Sequence, residues 1–257
     1  MRKIYSTNLT ESQYEAILAI IGDKRKRNHT LKEIFDAILY LLKTGCQWRM
    51  LPSEFPDWRL VYYYFSKWRD EGVFDQINRE LHGKIRKQRG RAPSPSVGII
   101  DSQSVKTTRV GGQERGWDGG KKIKGRKRHI VVDTQGYLLS VKVHTANRHD
   151  SKMGFEVLEA MKYDFSRMKK IYADGGYRGE LIENVNDKLG YEMEITLRSD
   201  KGTEFKPLPK RWIVERTFSW FENFRRLAKD YEYCIKSSEA MITLAFIAIM
   251  LNNIIFK

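Results

Sequence analysis

Across KIRKQRGRAPSPS, residues 84 to 96, the spacing of apolar residues in this chain changes from helical to extended. A helical stripe cannot serve as a strand, nor an alternation of period two as a helix, so the change separates helices from a sheet. The segment is basic and then rich in Pro and Ser, the composition of an exposed linker. The sequence therefore predicts a helical unit over 1–83, a linker over 84–96 and a mixed unit over 97–257.

In the first unit, Thr10 with Gln13 and Thr30 with Glu33 are spaced as capping boxes, and Gly45 and Gly72 stand where helices end. DWRLVYYYFSKWRDEG, 57 to 72, places Val61, Tyr64, Phe65 and Trp68 on one helical face. The other face carries Arg59, Tyr63, Ser66, Lys67 and Arg69, residue types that contact phosphates and base edges. Two readings stand side by side: the second helix of a helix-turn-helix, with Arg59 and Lys67 on DNA, or an ordinary bundle helix with a solvated face.

Beyond the linker, VGIIDSQS (97 to 104), KRHIVVDT (127 to 134) and GYLLSVKVH (136 to 144) read as strands, the last two forming a hairpin through Thr134, Gln135 and Gly136. A helix from about 151 to 163, a strand KKIYAD (169 to 174), a helix at 179 to 189 and a strand EMEITLR (192 to 198) follow. Two long helices, 210 to 230 and 237 to 254, complete the pattern. The fold class is α/β, a mixed sheet covered by helices.

The chain has 257 residues and carries 47 Lys and Arg against 32 Asp and Glu, a formal charge of +15. Such a surplus calls for a polyanionic partner, with nucleic acid ahead of an anionic membrane surface. AMITLAFIAIML, 240 to 251, is too short a run to span a bilayer and reads as a buried closing helix. The N-terminus lacks the apolar core and cleavage site of a secretory signal, and Cys46 and Cys234 form neither a CxxC pair nor a zinc pattern. The expected location is the cytoplasm, with no membrane partner.

Three acids sit at the edges of strongly apolar elements: Asp101 after VGII, Asp174 after IYA, and Glu215 within RWIVERTFSWFENFRRL. Asp174 precedes Gly175, and Asp-Gly is also a common way to end a strand. On helical spacing Arg211, Glu215, Ser219, Glu222 and Arg226 lie within an arc of roughly 80°, opposite Ile213, Thr217 and Trp220. If the first and fourth strands are neighbours, Asp101 and Asp174 stand side by side, and the helix carries Glu215 toward them. Converging carboxylates repel unless a cation lies between them, and hard oxygen ligands suit Mg²⁺ or Mn²⁺. Two such ions serve in-line phosphodiester displacement. Asp133, Asp150 and Asp200 also sit at element edges, and VVDTQG around Asp133 fits a hairpin corner.

IIDSQSVKT, YADGGYRG and RWIVERTFSWFENFRRLAKDYE, in that order, closely resemble the DDE transposases of bacterial insertion sequences, specifically family five within the group that includes family four. LTESQYEAI and LLKTGCQWRMLPSEFPDWRLVYYYFSKW resemble their helical N-terminal domain. The resemblance implies a ribonuclease H-like sheet in which Asp101, Asp174 and Glu215 are catalytic and bind two Mg²⁺ or Mn²⁺ ions. It implies double-stranded DNA as partner, both terminal inverted repeats and target. Hydrolysis at the element ends and transfer of the 3′-hydroxyls follow from the same likeness, as do a homodimer on paired ends and a place near the bacterial nucleoid. A nuclease that cuts without joining and a silent DNA-binding derivative are the alternatives.

The wider group has a Tyr, Arg, Glu, Lys signature with two, three and six residues between successive members. Arg211 and Glu215 keep its middle, whereas Leu208 and Glu222 occupy the Tyr and Lys positions. Arg226, one turn further on, is either a substitute phosphate contact or a solvated arginine. Further DNA-binding candidates are Lys106, Tyr177, Arg178 and the run KKIKGRKR with Lys121, Lys122, Lys124, Arg126, Lys127 and Arg128. His129, His144 and His149 lack metal spacing and read as structural or DNA-facing.

Overall fold

The computed structural model describes residues 3–23, 25, 27–109, 112, 114–196 and 211–256, with only the backbone of residue 211. Helices α1 (Glu11–Ile21), α2 (Leu31–Thr44), α3 (Trp58–Asp70) and α4 (Val73–Gln88) come first. Both expected capping boxes close: the Thr10 hydroxyl accepts from the Gln13 amide at 3.2 Å, and the same exchange joins Thr30 and Glu33. Gly45, at φ +70°, ends α2 in the left-handed region that side chains avoid. Phe35 of α2 stacks on Trp68 of α3 at 4.5 Å, and Val61 and Phe65 are buried beside them.

Two details differ from the sequence reading. A 3₁₀ turn, Trp48–Met50, lies between α2 and α3, a longer connection than the three or four residues of a tight helix-turn-helix. Helix α4 runs through residues 84–88, because Ile77, Leu81 and Ile85 continue one apolar stripe that the basic composition hides.

Strands β1 (Val97–Lys106), β2 (Gly116–Asp118), β3 (Ile123–Asp133), β4 (Leu138–Thr145), β5 (Lys170–Asp174) and β6 (Glu192–Thr196) form one mixed sheet. β3 runs antiparallel to β1 along one edge and to β2 and then β4 along the other. β1, β5 and β6 are parallel neighbours. The short edge strand β2 is absent from the sequence reading; its three residues, GWD, carry no alternation.

Alternation sorts the sheet's side chains between two cores. Ile100, Val131, Ile171 and Ala173 join the core beneath α5 (Asp150–Glu159) and α6 (Glu180–Leu189). Ile99, Ile130 and Val132 join the larger core, which also holds the buried residues of α1 to α4, of α7 (Arg211–Trp220) and of α8 (Ile235–Asn253). The helix expected over 210 to 230 stops at Trp220 and continues as two 3₁₀ turns. α8 is long and apolar enough to cross a membrane by length and composition alone, yet it packs on α4, β4, α2 and α3 within the larger core.

Asp133 fastens the helical layer to the sheet. Its fully buried carboxylate accepts from the Arg86 guanidinium, from the amides of Gln135 and Tyr137 at 2.8 and 3.1 Å, and faces His82 at 3.3 Å. Of the acids at element edges, this one is a structural corner. Asp200 lies outside the described residues. Replacing Asp133 by Ala leaves Arg86 buried without its counter-charge, and urea unfolding should record a loss of about 3–5 kcal/mol.

Candidate active site

The register between β1 and β5 pairs Ile99 with Tyr172, which sets Asp101 and Asp174, each two residues further, at the same level of adjacent parallel strands. Both share the parity of Ile99 and Tyr172, which pack on the larger core, so both acids belong to the face that α7 covers. α7 packs directly on β1 and β5 and carries the exposed Glu215. Asp101 accepts from the amide of Ser102 at 2.7 Å. Asp174 accepts from the amide of Gly176 at 2.8 Å and so caps the short 3₁₀ turn Gly175–Tyr177. The turn former and the candidate site acid are therefore one residue. Exposed Arg178 folds back over Gly175, where an added Cβ would lie 3.3 Å from its guanidinium.

The Tyr177 hydroxyl records the negative potential. Burial first, then the charges of Asp101, Asp150 and Asp174, push it well above the usual tyrosine range. Tyr177 is fully buried, so it does not present a surface to DNA as expected.

The opposite face of the sheet holds a different polar group. Asp150 accepts from Lys127 Nζ at 2.9 Å and Ser102 Oγ at 3.0 Å. Burial opposes its charge, but Lys127 and Ser102 as hydrogen-bond donors and the nearby His129 hold it below the ordinary carboxylate value. His144 Nδ1 lies 2.9 Å from the Thr145 carbonyl, so it carries the proton, and His144 Nε2 accepts from His129 Nδ1 at 2.7 Å. Neither histidine faces DNA, since both are buried. Burial lowers His129 to about 3.

A model described as "Transposase DDE domain" matches residues 92–251, and one described as "Putative transposase of IS4/5 family" matches residues 9–78. The chain belongs to the DDE transposases of IS4/5 type. "Putative transposase for insertion sequence element IS402" from Burkholderia cepacia is 31% identical over 116 residues, 42% of this chain and 54% of that protein. "Uncharacterized protein y4sN" from Sinorhizobium fredii is 34% identical over 73 residues, 27% of this chain and 58% of that protein. The chain thus spans little more than half the length of these curated relatives. Membership in the DDE domain family implies a ribonuclease H-like fold, with which the mixed sheet and its two helical layers agree.

A DDE transposase domain also implies dependence on a divalent metal. The donor chemistry fits: Asp101 and Asp174 offer hard carboxylate oxygens, and their potential reaches a buried hydroxyl. Among the described residues, no three His, Cys, Asp or Glu side chains are gathered closely enough to hold one ion.

The basic candidates divide by exposure. Arg59, Lys106, Lys121, Lys122, Lys124 and Arg178 are exposed, and Lys67 is half-buried. Lys106, Lys122 and Lys124 line one cleft with Arg109, Arg115 and the exposed Trp117. Sequence reasoning passed over Trp117, since nothing in GWD signals an indole left on the surface. The rest of KKIKGRKR lies inside the sheet. Arg126 is fully buried against Asp230 at 3.2 Å, Lys127 is bound to Asp150, and Arg128 is 2% exposed, so these three do not track DNA along the surface. Arg226 is buried too, paired with Glu232 at 2.7 Å and donating to the Cys46 carbonyl, because the chain leaves the helical arc after Trp220. The side chain of Arg211, and Leu208 entirely, lie outside the described residues.

The depressed His129 gives a pH signature. The unfolded chain binds its proton below about pH 6.5, whereas the folded chain excludes it down to about 3. Stability is therefore complete above pH 6.5 and falls as pH drops through that window. Thermal unfolding from pH 7 to 4.5 should show a smaller fall in Tm for His129→Gln than for the unsubstituted chain.

Proposed function

We propose that the chain is a DNA transposase that binds the terminal inverted repeats of an insertion sequence, hydrolyses the phosphodiester bonds at its ends and transfers the 3′-hydroxyls into target DNA. The observation that carries this is the pairing of Asp101 and Asp174 on adjacent parallel strands, under the helix that bears Glu215. Asp101, Asp174 and Glu215 are the residues to hold Mg²⁺ or Mn²⁺, two ions per site. When bound, such ions activate the attacking oxygen and stabilise the leaving one.

The chain's own contribution is placement. β1 and β5 fix two carboxylates on a backbone that the sheet holds rigid, while α7 brings the third from another layer. Gly175 and Gly176 keep side-chain bulk away from Asp174, so a DNA backbone can approach it. Arg178 and the cleft around Lys106, Lys122, Lys124 and Trp117 offer cations and an aromatic face to that strand. The charge of +15 supports the same partner. A homodimer on paired ends, acting in the bacterial cytoplasm at the nucleoid, completes the proposal.

The test uses purified protein, duplexes taken from the DNA flanking the coding sequence, and Mg²⁺ or Mn²⁺, with nicked and joined products resolved on gels. Asp101→Asn, Asp174→Asn and Glu215→Gln should each lower cutting and joining by about a thousandfold or more while leaving duplex affinity within a few-fold. Normal cutting by Asp174→Asn would remove it from the site, and cutting without joining would make the protein a nuclease. Affinity should fall by orders of magnitude between 50 and 200 mM salt, as expected for many phosphate contacts.

A further inference from the structure

The buried cations of the sheet and its surroundings are neutralised by carboxylates, with one exception. Arg126 meets Asp230, Lys127 meets Asp150, Arg86 meets Asp133 and Arg226 meets Glu232. Arg128 is 2% exposed, yet among the described residues no carboxylate lies within ion-pair distance of it. Its Nη1 donates to the Leu227 carbonyl at 2.9 Å, its Cζ lies 5.9 Å from the centroid of the Phe221 ring, and its Nε is buried without a hydrogen-bond partner. Burial lowers this guanidinium to about 10, against a weaker attraction from the Asp230 charge. A desolvated charge with unmet donors is costly unless something supplies the missing acceptors.

What Arg128 faces is a cavity of about 450 Å³, walled by Gln103 and Lys106 of β1, by Phe221 and Glu222 after α7, and by Lys229. Arg128 stands opposite Gln103 in the β1–β3 register. Gln103 is two residues from Asp101 on the same face, about 7 Å along the strand. Three cations and one carboxylate thus border a cavity that begins beside the first site acid. A planar guanidinium fork with free donors matches the oxygens of a phosphodiester.

We propose that this cavity seats a phosphate of the DNA strand next to the one processed at Asp101, with Arg128 as its buried anchor and Lys106 and Lys229 at its mouth. The proposal rests on the transposase reading for the identity of the strand, and on Arg128 alone for the anion. Glu222 borders the same cavity, at the position where the signature of the wider group has Lys. It weakens the field that Arg128, Lys106 and Lys229 create.

Two measurements test this. In the first, thermal unfolding is followed in inorganic phosphate and in chloride at equal ionic strength. Phosphate should raise the Tm of the unsubstituted protein and leave Arg128→Met unmoved, since a ligand stabilises only the state that binds it. In chloride, Arg128→Met should be at least as stable as the parent, as expected when a buried charge without a carboxylate partner is removed. In the second, fluorescence anisotropy follows binding of the flanking-DNA duplex with single neutral methylphosphonates stepped along each strand. One position should weaken the parent about tenfold, and Arg128→Met, itself about tenfold weaker, should lose nothing more there. An unchanged penalty at every position in Arg128→Met would sink the idea. A response to inorganic phosphate with no such coupling would mean a free-anion site and refute the DNA assignment.

If Arg128→Met does not fold, the exposed pair Lys106→Ala with Lys229→Ala should weaken binding and reduce the same penalty, and Glu222→Lys should tighten it. No change in either refutes the proposal. Coupling at Arg128 together with DNA that is bound but never cut would refute the transposase reading and leave the phosphate site standing.

Discussion

The parallel pairing of β1 with β5 is the constraint on which the site depends. Its register sets Asp101 level with Asp174, and strand alternation turns both to one face. A slip of one residue would send one acid through the sheet to the apolar layer under α5 and α6. Register is strongly specified here because both faces of β1 and β5 are buried: Ile99 and Tyr172 belong to one core, Ile100, Ile171 and Ala173 to the other. The geometry of two polar side chains is thus fixed by five apolar ones.

The sheet also separates two kinds of charge. On the face away from α7, Lys127, Asp150 and the His129–His144 pair bond to one another and stay internal. On the face under α7 lie Asp101, Asp174 and the underpaired Arg128. That face holds the two aspartates and the wall of the cavity beside them.

Much of this was legible in the sequence. Capping boxes, the hairpin at Asp133 and the strand end at Asp174 are local signals, written in turn chemistry and alternation. What was not legible is long-range. KKIKGRKR has the composition of a solvated DNA-tracking loop, yet period two sends Arg126 and Arg128 toward acceptors contributed by residues about a hundred positions away. Only the assembled fold supplies Asp230 and the Leu227 carbonyl. Arg226 was misplaced for a related reason: helical arithmetic holds only while the helix lasts, and α7 stops at Trp220. Glu215 lies in a helix that packs on β1 and β5, and its side chain is exposed, opposite the packed face as its spacing implied.

The basic segment at 84–96 looked like a tether between two bodies. Its first turn instead extends α4, whose buried face, together with Arg86, binds the helical layer to Asp133 and to α8. A rigid strut has replaced a hinge. From α3 to the sheet the connection therefore runs through the packed side chains of α4 and α8 rather than through a loop.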